Sequence, residues 1–377
     1  MVLFWKWKSF LNEGIEMAFQ KERIEYEEVF YQLKDWEDDP IFCEMMEAKL
    51  KSGKYDKVFS VNYTPLISDI CEQRGIPYIF WVYDAPLHIR NLSSLRHNTC
   101  NEGYFFDRGQ VELYAKEGIK VHHLPLAASP VVFEKAVRRA AKPHGISLLG
   151  KLYKNEYSYY ASVLSDYDKG FLEGIINSQL QVYGGFLIDD LVTKEVVKRL
   201  NEQYHKASGG KTKVTLEEMR YLLTQEVTRR ERYLILTMLS KKHEMHVYGN
   251  DTYPELDQVQ YHGYADYISE MPTVFAESQM NLNITLKSIR TGIPLRVFDV
   301  LACGGFCISN YQAEIAEQFA IGEEIEVYGA LEELFEKAHY YMEHPDVCAK
   351  IAANGKRAIE TRHGFEDKIR HMFGQNS

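Results

Sequence analysis

The sequence 281–311, NLNITLKSIRTGIPLRVFDVLACGGFCISNY, contains a complete strand–helix–strand pattern. Its apolar runs predict strands over 280–284 and 306–309, and the apolar periodicity between them predicts a helix over 295–303. Pro294 suits the first turn of that helix. Because strands separated by helices pair in parallel through right-handed crossovers, this pattern predicts an α/β protein with a parallel sheet.

The same alternation extends over most of the chain. Short apolar runs alternate with helical patterns through the first 130 residues, where Thr64-Pro65 predicts a helix start and Gly75 its end. The alternation stops in a helix-rich segment and resumes at Met245. We therefore predict two domains: a Rossmann-like N-terminal domain at 1–130 and a second domain at 146–361 with a helical insertion at about 156–240. A linker at 131–145 with a small basic cluster (Arg138, Arg139, Lys142) joins them, and a C-terminal tail or helix follows at 362–377.

Composition and charge exclude several classes of protein. Hydrophobic residues at 45% and charged residues at 26% are values of an ordinary globular protein. The net charge of −10, without a polybasic run, argues against a bulk nucleic-acid binder, which needs positive charge to neutralise phosphates. The longest apolar run, 76–83, is much shorter than the roughly 20 residues of a membrane-spanning helix.

The N-terminal residues and the cysteines indicate the compartment. Trp5, Lys6, Trp7 and Lys8 interrupt any apolar N-terminal run, so no signal peptide is predicted. The six cysteines form no C-x-x-C pair and are interpreted as reduced, mostly buried residues. We expect a cytoplasmic protein without a transmembrane segment.

The first strand-to-helix turn excludes a dinucleotide cofactor. Its sequence, FWKWKS at 4–9, has no glycine, whereas a dinucleotide fingerprint needs glycines for the backbone to approach a pyrophosphate. No cofactor is predicted. Asp166-Tyr167-Asp168 matches a metal-binding D-x-D, but it lies in the helix-rich segment, so we interpret it as a chance match and predict no metal.

The loop before the 295–303 helix is the best candidate for an anion site. Gly292 gives backbone freedom, and a helix N-terminus offers unpaired N–H groups and a positive dipole to a phosphate. Arg290 and Arg296 can add charge-assisted hydrogen bonds, and Asp299 can accept hydrogen bonds from a ribose diol. The alternative is that Arg296 and Asp299 form an ordinary surface pair.

At this point the residues resemble a known family. NLNIT, SIRTGIPLRVFDVLACGGF and ISNY resemble the C-terminal half of the spore-maturation CgeB-type glycosyltransferases, and four shorter segments fit the same order: SLLGKLY at 147–153, HGYADYISEMP at 262–272, WVYDAP at 81–86 and LPLA at 124–127. The resemblance implies the GT-B fold, with two Rossmann-like parallel-sheet domains facing across a cleft. It also implies transfer of a sugar from a nucleotide diphosphate-sugar to a glycan or protein acceptor, with the domain at 1–130 on the acceptor side and the domain at 146–361 as the nucleotide-sugar-binding domain.

The resemblance also implies roles for individual residues. In related retaining enzymes, two glutamates lie eight positions apart and the second holds the donor ribose; here the two positions match Thr291 and Asp299. Within that frame the further donor-site candidates are Gly150, Lys151, Tyr248, Tyr264 and Asn283. A solvated lysine and buried core tyrosines are the alternatives for Lys151 and the two tyrosines.

Asp84 is the candidate catalytic base. It follows the strand 76–83, and ligands of open parallel sheets bind beyond the carboxyl ends of strands. A carboxylate there can deprotonate the acceptor hydroxyl in an inverting reaction, and His88 is the second choice. The alternative for Asp84 is a helix cap, since Asp-Ala-Pro is a good helix start.

The absent first glutamate leaves open a non-catalytic GT-B module that binds a sugar nucleotide or glycan. A nucleotide-sugar epimerase, which shares the GT-B fold, is the third possibility. The sequence does not specify the base, the sugar, the acceptor, the stereochemical course or the oligomeric state.

Overall fold

The computed structural model describes residues 1–134 and 144–374; the predicted basic cluster at Arg138, Arg139 and Lys142 lies outside the described residues. The described residues divide into two compact units. The first unit consists of 1–134, 291–302 and 357–374, and the second of 144–290 and 303–356. Residues 291–302, which lie inside the predicted nucleotide-binding domain, therefore group in space with the first unit.

The first unit is built on a six-stranded parallel sheet of order β2-β1-β3-β4-β5-β6. Its strands are β1 (Val2–Lys6), β2 (Tyr26–Phe30), β3 (Lys57–Val61), β4 (Tyr78–Val82), β5 (Asn101–Phe105) and β6 (His122–His123). Its helices are α1 (Asn12–Lys21), α2 (Pro40–Leu50), α3 (Pro65–Arg74), α4 (Ser93–His97), α5 (Arg108–Lys116), α6 (Pro130–Phe133), α13 (Leu295–Ala302) and α17 (Phe365–Phe373).

Local sequence signals explain the helix boundaries of this unit well. The Thr64 hydroxyl accepts a hydrogen bond from the Leu66 amide (3.2 Å), Pro65 is the first residue of α3, and Gly75 ends the helix with φ +64°. The alternative of a helix start at Asp84 is wrong, because the next helix along the chain, α4, begins only at Ser93.

The abundant aromatic residues fill the core of the first unit. β4 is buried along its whole length, which is typical of a central strand covered on both faces. The largest fully buried side chains of this unit include Trp5, Trp81, Tyr63 and Tyr78. These rings bury a large apolar area for each residue, so the core is dense without disulfides; all six cysteines are free thiols.

The second unit is built on another six-stranded parallel sheet, of order β12-β11-β10-β7-β8-β9. Its strands are β7 (His144–Leu149), β8 (Met245–Tyr248), β9 (Val259–Gly263), β10 (Ser278–Asn283), β11 (Cys307–Asn310) and β12 (Glu326–Tyr328). Its helices are α7 (Tyr157–Ser162), α8 (Asp166–Gln181), α9 (Leu187–Leu191), α10 (Lys194–Ser208), α11 (Leu216–Leu239), α12 (Met271–Glu277), α14 (Ala313–Gln318), α15 (Leu331–Glu343) and α16 (Pro345–Arg362). The prediction of an α/β fold with two parallel sheets and a helix-rich segment after β7 is confirmed.

Helix α11 belongs to two hydrophobic cores at once. Its first half places Met219, Leu223 and Val227 in the core that α7–α11 share. Its second half places Ile235 and Leu239 in the core beneath the sheet. A capping box at Thr215 and Glu218 fixes its start. The helix-rich segment is thus joined to the sheet through one continuous helix.

Candidate functional site

Two glycine-containing turns touch at the carboxyl edge of the second sheet. Gly150 follows β7 with φ +144°, and its amide donates to the carbonyl of Tyr248 at the end of β8 (2.9 Å). A Cβ atom at Gly249 would lie 2.5 Å from the carbonyl oxygen of Gly150, which is closer than any side chain tolerates. Glycine at 249 therefore allows these two turns to pack directly on each other.

Arg232 of α11 ties the first of these turns to the loop after β10. Its guanidinium donates to the carbonyls of Lys151 and Ile284 and lies 4.9 Å from the centre of the Tyr153 ring. The side chain is buried, with 7% of the residue exposed. Since a guanidinium has five donors in a rigid plane, one residue can hold two separate segments of backbone.

A buried ion pair fixes the middle of the 284–290 loop. Lys287 is 7% exposed and its Nζ lies 2.9 Å from a carboxylate oxygen of Glu231, which is fully buried. The Tyr183 hydroxyl donates to the other Glu231 oxygen (2.7 Å), and the Lys287 amide donates to Thr228 (3.1 Å). Both the backbone and the side chain of Lys287 are thus anchored to α11, which indicates a structural role for this cation.

Arg290, at the end of the same loop, has a different environment. Its guanidinium pairs with the carboxylate of Asp189 in α9 and lies 4.6 Å from the centre of the Phe186 ring. The two charged side chains are 19% and 23% exposed, so the pair is partly open to solvent. Arg220 of α11 donates to the Asp189 carbonyl (2.6 Å) and holds this segment in place.

Polar side chains order the strand ends beside this loop. The Asn283 amide group donates to the hydroxyls of Thr285 (3.0 Å) and Ser309 (2.8 Å), and the Thr285 amide donates to Asn310 (2.7 Å). The strand ends of β10 and β11 are therefore cross-linked just ahead of the loop. Asn283 is buried, with 5% of the residue exposed, so its role here is to fix the backbone at these strand ends.

The other donor-site candidates of this unit lie near the neighbouring strand ends. Tyr248 is half-buried and stacks on His262, with ring centres 4.6 Å apart, and burial raises the pKa of its phenol. Tyr264 is 62% exposed, and Lys151 is exposed as well. The alternative of a buried core tyrosine is wrong for Tyr264. The structure brings Gly150, Lys151 and Tyr248 to one edge of the sheet.

In the first unit, Asp107 holds the turn before α13. Asp107 follows β5, is fully buried and caps α5 through the Gly109 amide (3.1 Å). The same carboxylate oxygen accepts from the Thr291 amide (3.0 Å), the Thr291 hydroxyl (3.1 Å) and the Gly292 amide (3.2 Å). The Thr291 hydroxyl also accepts from the Gly109 amide (2.9 Å). The backbone groups predicted to bind phosphate thus donate to a carboxylate of the chain itself.

The sequence analysis did not include Asp107 among its candidates. The available signal was local: an aspartate directly after a strand and before a helix is a typical N-cap. Its contact with residues 184 and 185 positions further along the chain has no local signature.

The remaining candidates on α13 differ in exposure. Arg296 is half-buried, whereas Asp299 is 1% exposed and lies within the buried face of the helix. The alternative of an ordinary surface pair is therefore wrong for Asp299. Its contact with a donor ribose stays a prediction.

Asp84 lies at the carboxyl edge of the first sheet, as predicted from its position after β4. Its carboxylate accepts a hydrogen bond from the side-chain Nδ2 of Asn62 (2.7 Å), and the side-chain Oδ1 of Asn62 accepts from the Tyr83 amide (3.0 Å). Asn62 adopts φ +60°, a backbone conformation that asparagine tolerates better than most residues. Asp84 is half-buried and His88 is exposed. Asn62 therefore fixes the position of the Asp84 carboxylate. The sequence analysis did not include Asn62 among its candidates.

The D-x-D sequence has a structural role. Asp168 near the start of α8 accepts from Arg199 (2.8 Å) and Gln203 (2.7 Å), and its pKa is lowered because hydrogen bonds from these side chains outweigh the effect of burial.

Within residues 1–134 and 144–374, no cluster of histidine, cysteine and acidic side chains has the geometry of a metal site. In the same described ranges, none of the helices combines the length and the apolarity that crossing a membrane requires.

Comparison with known proteins shows the fold. The sucrose-phosphate synthase of Thermosynechococcus elongatus is similar over 98% of this chain and 96% of its own, with a TM-score of 0.56 and 10% identity. WaaG, a glycosyltransferase involved in lipopolysaccharide biosynthesis, is similar over 100% of both chains, with a TM-score of 0.53 and 10% identity. The chain has the GT-B fold.

A family model supports the functional class for part of the chain. Residues 220–374 match the family described as glycosyl transferase-like. The match begins within α11 and includes the 284–290 loop and α13. It supports the prediction of a glycosyltransferase and leaves the acceptor unspecified. A search of curated proteins gave no match.

Proposed function

We propose that this protein is a glycosyltransferase that moves a sugar from a nucleotide diphosphate-sugar to a glycan or protein acceptor, and that it is a relative of the CgeB-type enzymes. One observation supports the proposal. The carboxyl edge of the second sheet contains both the turns at Gly150 and Gly249, which pack directly on each other, and the 284–290 loop, which ends at Arg290 and is held by side chains of α11. Ligands of open α/β sheets bind at this edge. The matched segment 220–374 contains both the loop and the bracing part of α11.

The two cations of the loop differ in how easily they can meet a diphosphate. Removing Lys287 from Glu231 would leave a fully buried carboxylate without its partner, which is strongly unfavourable. Arg290 pairs with Asp189 in a position that is partly open to solvent, so a diphosphate can replace this carboxylate at a lower cost than it could replace Glu231. We therefore assign Arg290 to the diphosphate, with Lys151 as the second cation and Tyr248 or Tyr264 beside the base.

The reaction needs charge stabilisation at the leaving group and a base at the acceptor. The bond from the anomeric carbon to the diphosphate oxygen breaks, and the diphosphate leaves with the electron pair. A bond from the acceptor oxygen to the anomeric carbon forms, and the acceptor proton passes to a base. Arg290 stabilises the developing charge on the leaving oxygen by charge-assisted hydrogen bonds. In an inverting reaction Asp84, oriented by Asn62, takes the proton, with His88 as the second choice.

We keep the roles predicted for Gly292 and Arg296 from the helix N-terminus, and the positions that the resemblance gives Thr291 and Asp299 in the donor site. For the Thr291 and Gly292 amides, a phosphate has to compete with the Asp107 carboxylate. This competition, together with a threonine in place of the first glutamate, favours one second candidate: a non-catalytic GT-B module that binds the sugar nucleotide without transferring the sugar.

Nucleotide binding tests the donor site directly. A thermal-shift panel of UDP, GDP, TDP and CMP identifies the base, because a ligand at 100 times its Kd adds about 2.7 kcal/mol of stability. A relative of the same fold is named as a UDP-forming trehalose-phosphate synthase, so UDP is the first ligand to test. Calorimetry then compares wild type with Arg290→Ala, for which we expect affinity to fall about 30-fold.

Arg199→Ala is the matched control, because Arg199 also pairs with an aspartate and contacts aromatic rings but lies away from the loop. We expect it to leave nucleotide affinity unchanged. Equal affinity for wild type and Arg290→Ala would remove Arg290 from the donor site. Binding without hydrolysis or transfer of any UDP-sugar would select the non-catalytic module.

A further inference from the structure

The turn after β1 is a feature of the first sheet that the proposed function does not use. Its sequence, FWKWKS at 4–9, lacks the glycines that let a backbone approach a phosphate. In the structure the Trp7 carbonyl accepts hydrogen bonds from the Ser9 amide (2.7 Å) and from the side-chain Nδ2 of Asn12 (2.7 Å). The backbone of this turn is thus bonded to its own neighbours, and the side chains of Trp7 and Phe10 are the groups that it offers to a ligand.

Trp7 and Phe10 belong to a cluster of four aromatic side chains at the carboxyl edge of the first sheet. The other two are Tyr83, which follows β4, and Trp36, in the loop after β2. The rings of Trp7 and Tyr83 are nearly parallel (7°) with centres 6.2 Å apart, and the centre of the Phe10 ring lies 6.4 Å from that of Tyr83. The Trp36 ring contacts Trp7 edge-to-face, at 5.1 Å and 88°. We call these four residues the aromatic platform.

Hydrogen bonds hold the two tryptophans of the platform in place. The Trp7 indole N–H donates to the carbonyl of Val61, the last residue of β3 (2.8 Å). The Trp36 carbonyl accepts from the Thr64 hydroxyl (2.7 Å), and Arg90 pairs with both acidic neighbours of Trp36. Because these rings are already fixed by the chain, little conformational entropy is lost when a ligand packs on them.

The platform lies beside Asp84, the candidate base. Asn62 donates to the Asp84 carboxylate (2.7 Å) and accepts from the Tyr83 amide (3.0 Å), so one side chain holds both the base and the backbone of a platform residue. Phe10 is 44% exposed, and the other three members of the platform are half-buried. A molecule whose hydroxyl reaches Asp84 therefore has aromatic surface next to it.

Aromatic faces beside a carboxylate suit a sugar ring. A pyranose has a face of C–H groups that packs on an aromatic ring, and the hydroxyls around its edge donate to a carboxylate. A peptide acceptor would need partners for its backbone N–H and C=O groups, and aromatic faces do not supply them. The chemistry of this edge therefore favours a glycan over a peptide.

We propose that the aromatic platform binds a sugar ring of the acceptor, with Phe10 and Trp7 against its apolar face, and that the acceptor is a glycan rather than a protein. The inference rests on the proposed function, because it takes Asp84 as the base that receives the acceptor proton. It adds the class of acceptor, which the proposed function leaves open. Binding of the glycan needs neither the donor nor sugar transfer, so the two proposals can fail separately.

A microarray of defined oligosaccharides and of peptides containing serine, threonine, tyrosine and asparagine tests the class of acceptor, with the labelled full-length protein as the probe. We expect binding to a subset of the oligosaccharides and to none of the peptides. The oligosaccharide that binds best is then titrated in solution by tryptophan fluorescence. Trp7 and Trp36 are half-buried and report on the platform. The other two tryptophans, Trp5 and Trp81, are fully buried.

Substitutions of Phe10 separate stacking from folding. Phe10→Leu keeps an apolar side chain but removes the ring, and it should weaken oligosaccharide binding about five-fold. Phe10→Tyr keeps the ring and should bind within about two-fold of wild type. Because Phe10 is exposed, both variants should melt as wild type does. Tyr340→Ala in α15 removes an aromatic residue of similar exposure (47%) and should leave binding unchanged.

The possible outcomes decide between the two proposals. This inference is overturned if no oligosaccharide binds, if peptides bind instead, or if Phe10→Leu binds as tightly as Phe10→Tyr. Binding of a glycan at the platform by a protein that binds no nucleotide and transfers no sugar would keep the glycan site and remove the proposed transferase. Sugar transfer to peptides alone would keep the transferase and remove the glycan acceptor.

Discussion

We expect Asp107→Ala to destabilise the first unit by several kilocalories per mole. The substitution removes a fully buried carboxylate that accepts hydrogen bonds from the amides of Thr291 and Gly292. Each of these two buried donors, left without a partner, costs about 1–3 kcal/mol. The Gly109 amide keeps a partner in the Thr291 hydroxyl, so the loss of the helix cap adds little. The sum, taken near the middle of the range, is about 4 kcal/mol.

Tryptophan fluorescence measures this loss selectively. The four tryptophans, at positions 5, 7, 36 and 81, all lie in the first unit, so a urea titration followed by their emission reports on that unit. Asp107→Asn keeps one acceptor oxygen and should lose less than half as much free energy of unfolding. Asp39→Ala removes another buried capping aspartate of the same unit. Because Asp39 also accepts from the Tyr31 hydroxyl, the loss it causes is an upper value for the cost of the cap. A loss below about 1 kcal/mol for Asp107→Ala would refute the reasoning.

Three further substitutions test the other charged groups. Asp189→Asn frees Arg290 from a competing carboxylate, so nucleotide affinity measured by calorimetry should rise about three-fold; unchanged or weaker binding would contradict the assignment. Lys287→Ala strands a buried carboxylate and should cost about 3–5 kcal/mol by circular dichroism in urea, where a loss near zero would argue against a buried pair. Burial lowers the pKa of His246 in the folded protein, so the folded state favours its neutral form and stability falls as the pH drops below about 6.5. His246→Gln should therefore lose less melting temperature than wild type between pH 7 and 5, and equal losses would contradict this.

Local signals in the sequence predicted the elements of the fold closely. The cap at Thr64, the αL glycine at Gly75 and the strand 57–61 were readable because each depends on neighbours within a few residues. Asp84 shows the limit of such signals: Asp-Ala-Pro fits a helix start, but the carboxylate is engaged by Asn62 from another strand end. Tertiary contact overrode the local preference.

The site was harder to predict because its key contacts are long-range. Asp189 pairs with Arg290, which lies 101 positions further along the chain. Asp107 reaches across a still greater sequence separation to the turn before α13. A single sequence gives no information about such long-range pairs. The loop was therefore predicted, whereas the carboxylates of Asp107 and Asp189, which accept hydrogen bonds from it, were not.

Helix α11 shows why the boundary of the predicted insertion has functional consequences. The prediction ended the helical insertion at about residue 240, which assigned α11 to it. The structure instead gives α11 a stripe of buried polar side chains that faces the sheet: Thr228, Glu231 and Arg232. These three groups hold the 284–290 loop and the turn after β7. A buried polar stripe on a helix is costly unless each group has a partner, so its presence on α11 is explained by the loop that it positions. The family match starts at residue 220, so it contains most of α11 and leaves α7–α10 outside.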